Sequence, residues 1–480
     1  MKALPLPLGT THFVGIGGIG MSGIAEVMHN LGYQVQGSDL QENANVKRLV
    51  NLGVPVMTGH NPENLNEASM VVVSSAVDAD NPELAAARAA MIPVVRRAEM
   101  LAELMRLKKS IAVGGTHGKT TSTSMIAAIL DAASLDPTVI NGGIINAYGT
   151  NARLGEGDWI VVEADESDGT FIKLPATIAV VTNIDAEHLD FYGSLDNLRQ
   201  AFETFIRNIP FYGFAVLCID HPEVQSLIPR VSSRRIITYG LSPQADMRAV
   251  NLESDSEGMR FHVVSTNRTS GTNTTWKNMH LPMVGEYNVQ NALAALAVGQ
   301  GMNIDPDVMC MGLATFSGVK RRFTKTGITN GVTVIDDYAH HPVEIAAVLQ
   351  AARSVCGENR VVAVIQPHRY SRLLNLFEEF CTCFKDADTV IVSEVYAAGE
   401  DPLKGADRDA FIKGLFAFGH REVLALEDPS QLAEMVSKIT QPGDMVICMG
   451  AGSSTRWAAV LPEEMVQLAE GDSGTPARES

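Results

Sequence analysis

Apolar, β-rich runs alternate with helical stretches along this chain, and the alternation starts afresh three times. "HFVGIG" leads into "MSGIAEVMHNLG", "SIAVGG" into "KTTSTSMIAAILDAA", "VTVIDDY" into "PVEIAAVLQAAR" and "RVVAVIQ" into "LLNLFEEFCTCF". Strands separated by helix-length connections favour parallel sheets with crossover helices. The fold class is therefore α/β, and 480 residues suit about three domains at roughly 150 residues each. The restarts place them at 1–108, 109–317 and 318–465, with a polar tail at 466–480. The middle block carries a polar, β-looking insertion near 245–280.

Charge narrows the partners. Lys and Arg number 37 against 55 Asp and Glu, a net −18. Such a chain is a poor general binder of nucleic acid or anionic membrane, so any phosphate must be held by local loops and a few cations. The opening "MKALPLPLGTTHFVGIG" is not a signal peptide, and no apolar run approaches a membrane span. The six cysteines (218, 310, 356, 381, 383 and 448) are scattered, with C-x-C at 381–383. They read as reduced thiols of a cytoplasmic protein.

Three stretches of the middle block point to nucleotide chemistry. Gly115-Thr116-His117-Gly118-Lys119-Thr120-Thr121 follows an apolar strand and opens a helix, a shortened form of the usual phosphate loop. Its N–H groups can wrap phosphate, Lys119 can reach the terminal phosphates, and Thr120 can ligate Mg²⁺. "WIVVEADESD" ends a second strand in carboxylates, with Glu163 the first choice as metal ligand. "IAVVTNIDAEHLD" ends a third strand and brings His188, a candidate for a second metal position. The middle domain is thus expected to be P-loop ATPase-like. Asn288 and Asn291 lie three apart on an Ala-rich helix and suit an adenine edge.

The first and third blocks carry their own strand-end motifs and read as Rossmann-like. Gly15-x-Gly17-x-x-Gly20 matches the dinucleotide fingerprint, with Asp39 where an acidic residue would meet a ribose. The physics requires only a diphosphate on a helix N-terminus, which a UDP-sugar satisfies as well as NAD. In the third block "DDYAHHPVEI" and "QPHRYSR" bring His340, His341, His368, Arg369 and Arg372 to strand ends. Two arginines three apart suit bidentate capture of a carboxylate.

Taken in order, "HFVGIGGIGMSGIAEV", "VVVSSAV", "RRAEMLAELM", "GGTHGKTT", "EADESDGTF", "TNIDAEHLD", "GEYNVQNALAA", "VKRRF", "IDDYAHHP", "QPHRYSR" and "EVYAAGE" resemble the Mur ligases over nearly the whole chain. The resemblance implies ATP- and Mg²⁺-dependent joining of an amino acid to a UDP-muramoyl carboxylate in peptidoglycan precursor synthesis. It implies that Lys119 and Thr120 serve the phosphates and a magnesium, with Glu163 and His188 on the metals. Asn288 and Asn291 fall on the adenine side, Asp337 in the ribose region and Arg322 near the phosphates. Gly15, Gly17, Gly18, Gly20, Asp39, Ser74, Ser75, Glu166 and Ser167 fall on the UDP-sugar side. Tyr338, His340, His368, Arg369 and Arg372 form the amino-acid pocket, and "QPHRYSR" with "EVYAAGE" looks like the L-alanine-adding form. Addition of a tripeptide to the same UDP-muramate is the alternative. Ala339 stands where the family pattern suggests glycine, and "SGVKRRF" departs from the usual run. No nucleic-acid partner or membrane insertion is expected, and the chain is expected to be a monomer or weak homodimer.

The chemistry needs cations. Two unit anions ~4 Å apart repel by about 4 kcal/mol at an effective dielectric near 20. Lys119, Arg322 and Mg²⁺ would offset that when a carboxylate meets the γ-phosphate, with His340 or His368 taking a proton from the amine. An NAD enzyme or a non-catalytic nucleotide binder would leave Lys119, Glu163 and His188 unexplained.

Overall fold

The computed structural model describes residues 8–473 other than 75, 269 and 270, so Ser75, expected on the substrate side, lies outside the described residues. The chain divides into two compact units. One holds the chain up to Leu252, Arg260–Pro282 and Asn288–Val319; the other holds Glu253–Met259, Met283–Tyr287 and the chain from Lys320. Each of the three expected blocks builds its own sheet, but the first two sheets share the first unit and one buried core that runs from Phe13 and Ile24 to Ile140, Val162 and Phe202.

The first sheet is parallel, in the order Val56–Thr58, Val35–Asp39, Thr10–Val14, Ala68–Val73, Val94–Arg96. The order reverses between Thr10–Val14 and Ala68–Val73. Crevices that take ligands in such folds open beyond the strand ends at this switch point.

The second sheet has ten strands. Its parallel centre runs Thr138–Ile145, Trp159–Glu163, Lys109–Gly114, Ile178–Val181, Phe214–Cys218, Arg235–Gly240. The insertion adds Met247–Asp255, Gly258–Asn267 and Thr272–Leu281 at one edge, and Thr150–Arg153 pairs antiparallel at the other. The run Ile178–Val181 is buried at every residue, as expected of a strand covered on both faces. Helix Leu195–Arg207 begins where Ser194 accepts the N–H of Asn197, and buries Leu198, Phe202, Phe205 and Ile206 at helical spacing. Phe202 and Phe205 meet Phe171, three residues past the acidic loop at 163–168, with ring centroids 5.0 and 5.2 Å apart. Phe202→Ala would cost about 3–5 kcal/mol.

The third sheet runs Thr324–Thr329, Val332–Asp337, Met445–Met449, Val361–Ile365, Thr389–Val392, Val423–Ala425, parallel apart from its first pairing. Asp337, Gly450 and Gln366 therefore leave neighbouring strands side by side. The closing helix extends over Ser454–Ser473, with Leu461 and Met465 buried. It carries ordered structure past residue 466, where a tail was expected to begin. Among the described residues no helix is long and apolar enough to cross a membrane.

Candidate active site

Strand Lys109–Gly114 ends between Trp159–Glu163 and Ile178–Val181, so the loop at 115–118 emerges flanked by both neighbours' ends. Gly115 has φ +132° and Gly118 φ +81°. A Cβ at Gly115 would lie 2.0 Å from Thr182 Oγ1, and one at Gly118 2.4 Å from Asn291 Oδ1, so only glycine fits either place. Thr182 Oγ1 and Asn183 Nδ2 donate to the His117 carbonyl at 2.6 and 3.1 Å, and Asn183 Oδ1 accepts the His117 N–H at 2.7 Å. Asp185 joins His117 and His221 at 3.3 Å each. Burial works against its charge, but the hydrogen bonds with the two histidines hold its carboxyl well below the usual range.

Lys119 opens helix Lys119–Ala132. Its Nζ donates to Gly115 O at 2.6 Å, Thr116 O at 3.0 Å and Glu166 Oε1 at 2.8 Å. Burial opposes its charge, but Glu166, Glu163 and Asp165 hold the ammonium above its ordinary range. Burial pushes the Glu166 carboxyl up to about 7 despite Lys119. Its second oxygen is buried with no hydrogen-bond partner among the described residues. His188, at φ +56°, sets its Nε2 4.0 Å from Glu166 Oε1. Glu166, expected on the substrate side, thus belongs to the cluster of Lys119 and His188.

Glu163 Oε2 accepts the Gly142 N–H at 2.8 Å, and a Cβ at Gly143 would lie 2.8 Å from Thr120 Cγ2. Glu163 and Thr120 therefore face one glycine pair. Thr121 is buried in the first turn of the helix. Asn288 and Asn291 are buried; Asn291 Nδ2 donates to Asn288 Oδ1 at 3.3 Å, and Ser122 Oγ donates to Asn291 Oδ1 at 3.2 Å. Among the described residues no three His, Cys, Asp or Glu side chains gather closely enough to hold a metal unaided.

In the first sheet, Gly15 and Ile16 donate their N–H groups to Ser38 O at 2.8 and 2.9 Å, and Gly18 caps helix Ile19–Asn30. Asp39 Oδ2 accepts the Gly17 N–H at 2.8 Å, so the carboxylate expected at a ribose rests on the loop itself. Ser74 follows the neighbouring strand, and Gly20 lies in the first turn of the helix. Ser167 donates its N–H to Asp165 Oδ1 at 3.1 Å. Behind the loop, Glu83 accepts from Ser38 Oγ at 2.6 Å and Asn64 Nδ2 at 2.6 Å and lies 3.3 Å from His12 Nε2.

In the second unit, Asp337 is buried and spends its oxygens on the N–H groups of Phe323 and Ala339, both at 2.7 Å. Burial raises its carboxyl to about 6. It braces two turns where a ribose contact was expected. The Arg321 and Arg322 guanidinium carbons lie 4.7 and 5.2 Å from the Tyr338 ring centre. His340 Nδ1 is 3.0 Å from Tyr338 O, and the rings of Tyr338, His340, His368 and Tyr396 form a run with centroids 5.1, 5.8 and 5.5 Å apart. Arg372 Nη1 sits 3.3 Å from His368 Nδ1. Burial, then His340, Arg372 and Arg369, push His368 down to about 4. Arg369 adopts φ +70° and donates its N–H to Tyr396 O at 2.9 Å. Arg321 and Phe323 are also left-handed, at φ +62° and +48°.

Three features escaped the sequence reading: Asn141–Gly143 beside Glu163 and Thr120, Thr182 against the His117 carbonyl, and His221 beside Asp185. The consecutive glycines of "INGGIIN" were the one available signal, since glycine inside a strand marks close approach.

The description Mur ligase family, catalytic domain, matches residues 10–109; Mur ligase middle domain matches 113–299; and Mur ligase, glutamate ligase domain, matches 321–452. The UDP-N-acetylmuramate--L-alanine ligase of Rhodospirillum centenum is 65% identical over 468 residues, covering 98% of this chain and 97% of its own. Among solved structures, the UDP-N-acetylmuramate-alanine ligase MurC of Thermotoga maritima matches with a TM-score of 0.80 at 29% identity, over 97% of this chain and 100% of that one. A murein peptide ligase of Psychrobacter arcticus shares the fold, with a TM-score of 0.69 at 22% identity over 95% and 98% of the two chains.

Proposed function

The chain belongs to the Mur ligase family, and from that premise we propose the reading its site supports best. It is an ATP-dependent, ADP-forming ligase that joins L-alanine to the carboxylate of UDP-N-acetylmuramate, a step in peptidoglycan precursor synthesis. The observation that carries it is the loop at 115–118, with the Lys119 ammonium held at its mouth between loop carbonyls and Glu166. The six cysteines are free, which suits a cytoplasmic enzyme. It acts as a monomer or weak homodimer. The tripeptide-adding alternative is not favoured, because the relative at 65% identity over 98% of this chain is an L-alanine ligase.

Amide formation from a carboxylate at pH 7 needs an activated acyl group. The muramoyl carboxylate attacks the γ-phosphorus of ATP, ADP leaves, and an acyl phosphate forms. The neutral amine of L-alanine then attacks the carbonyl carbon, and the tetrahedral intermediate expels phosphate. Lys119 stays charged and counters the γ-phosphate's negative charge. The N–H groups of the first helical turn face the same anion. Thr120, Glu163 and His188 would hold Mg²⁺, and the buried Glu166 Oε2, which has no hydrogen-bond partner among the described residues, fits that use. When bound, the ion supplies charge against the phosphate oxygens. Asn288 and Asn291 take the adenine, and Arg322 adds a second cation. Gly15, Gly17, Gly18, Gly20, Asp39, Ser74 and Ser167 serve the UDP-sugar.

Tyr338, Arg369 and Arg372 receive L-alanine, the arginines gripping its carboxylate. We assign the amine's proton to His340. Its Nδ1–H donates to Tyr338 O, which fixes the tautomer with the lone pair on Nε2. His368, held near 4, is a poor proton acceptor at neutral pH. The test incubates the protein with UDP-N-acetylmuramate, Mg-ATP and, separately, L-Ala, Gly, L-Ser or the tripeptide, and counts phosphate and ligated product. Turnover with the tripeptide and none with L-Ala would reverse the choice between the two readings.

A further inference from the structure

We propose that Arg97 is a substrate-binding residue for this reaction: its guanidinium takes the anionic diphosphate of the UDP-sugar at the glycine loop of the first sheet. The proposal rests on the function proposed above and names the cation its first substrate meets.

Arg97 begins helix Arg97–Met105, directly after the strand Val94–Arg96. That strand neighbours Ala68–Val73, which neighbours Thr10–Val14. The ends of three adjacent strands thus bring Arg97, Ser74 and Gly15 to one edge, across the switch point where such sheets take nucleotides. The side chain is turned inward, at 15% exposure, and lies over the first turn of helix Ile19–Asn30. A Cβ on Gly20 would sit 3.2 Å from Arg97 Cδ, 3.4 Å from Nη1 and 3.6 Å from Nε. The other arm, Nη2, donates to Asp165 Oδ2 at 3.1 Å. Asp165 fixes Nη2, and Nη1, the guanidinium nitrogen nearest Gly20, is presented to the glycine loop.

The loop needs that charge. Its Gly17 N–H already serves the Asp39 carboxylate at 2.8 Å, so a diphosphate arriving there meets a like charge. The chain as a whole carries −18 and offers no general attraction. Nη1 carries two N–H donors on a planar, weakly hydrated cation, which suits phosphate oxygens better than an ammonium does. The absence of a side chain at position 20 lets the fork lie within reach of the helix N-terminus.

The same residue could instead serve only to tie the two sheets together, since Lys173 and Glu99 pair at 2.9 Å between the same segments. Direct binding separates the roles. Titration calorimetry would measure the Kd for UDP-N-acetylmuramate in wild type, Arg97→Ala, Arg97→Lys, Asp165→Asn and Gly20→Ala, alongside Tm and the KM values for ATP and L-alanine. Arg97→Ala is expected to raise Kd roughly 10- to 100-fold, the loss of a charged hydrogen bond, with both KM values within about twofold. Arg97→Lys should fall between, and Asp165→Asn should lower Tm while keeping Kd within about threefold. Gly20→Ala, which pushes the fork aside, should weaken binding even if Arg97→Ala fails to fold. An unchanged Kd in folded Arg97→Ala, or equal shifts in Arg97→Ala and Asp165→Asn, overturns the assignment to Arg97. A wild-type chain that ligates nothing and does not bind the UDP-sugar overturns the functional reading and this role with it.

Discussion

Residues 15–18 and 115–118 each link a central parallel strand to a long helix in four residues. Around that shared backbone the charges are arranged in opposite senses. At 115–118 the cation, Lys119, belongs to the loop's own helix, and Glu166 reaches it from the next strand's end. At 15–18 the carboxylate of Asp39 comes from the neighbouring strand to rest on the loop's N–H, and Arg97 arrives from two strands away. Both loops hold a glycine where a Cβ would clash, Gly115 against Thr182 and Gly17 against Asn43 and Val46, but Gly18 differs. A Cβ at Gly115 collides with Thr182, whereas one at Gly18 finds its nearest neighbour at an ordinary 3.4 Å. A helix N-terminus sets only the capacity to hold an anion. The placement of side-chain charge divides a reacting γ-phosphate from a merely bound diphosphate.

Removing the loop's own cation tests the contrast most severely. Lys119→Ala should lower kcat/KM by about 100- to 1000-fold, assayed as phosphate release with saturating UDP-sugar. Because Lys119 is buried against Glu166, the variant should also lose stability, and adding Glu166→Gln should restore Tm without restoring turnover. Ligation within threefold of wild type in Lys119→Ala would leave the two loops functionally alike.

Acid should separate the loops next. The Ser38 beneath the first loop is held by Glu83. Burial opposes that carboxylate, but hydrogen bonds from His12, Ser38 and Asn64 bring it down to about 2. A lowered carboxyl contributes stability that is complete above its unfolded value near 4.5 and lost as pH falls towards 2. The span is about 3 kcal/mol. Glu83→Gln should flatten the fall of Tm through that window, and a slope identical to wild type would remove Glu83 from the account.

The difference between Gly115 and Gly18 predicts a smaller effect. Gly115→Ala should cost about 2–3 kcal/mol, from its positive φ and the clash with Thr182. Gly18→Ala, at φ −59°, should cost under about 1 kcal/mol. Chemical denaturation of the two variants compares them directly.

The third sheet offers the mildest test, of whether geometry counts as well as charge. Arg372→Lys keeps the cation and loses the fork, so the KM for L-alanine should rise about tenfold while that for ATP stays within twofold. Equal rises for both substrates would move Arg372 out of the amino-acid pocket.

Alternation and loop punctuation made the three sheets legible, because a parallel sheet writes each strand as an apolar run and each crossover as a helix. Lys119, Glu163 and the Asn288–Asn291 pair were legible because local spacing alone fixes them on strand ends and one helix face. The partners were not. Asp165, Glu166 and Asp168 are interchangeable acids on paper, yet the folded loop sends Asp165 to Arg97, Glu166 to Lys119 and Asp168 to Thr170. Those choices depend on strands far apart in the chain. Polar composition suggested a tail from 466, but burial of Leu461 and Met465 anchors a helix that continues to Ser473.

The left-handed backbone at Arg321, Phe323 and Arg369 sets heat tolerance against activity. Each such residue costs of order 1 kcal/mol that glycine would not incur. Selection for thermal survival alone would therefore favour glycine at 369, and the survivors would have lost one arginine of the proposed amino-acid pocket. A library screened by melting temperature should enrich inactive chains at this position, and one screened by growth should keep the strained arginine.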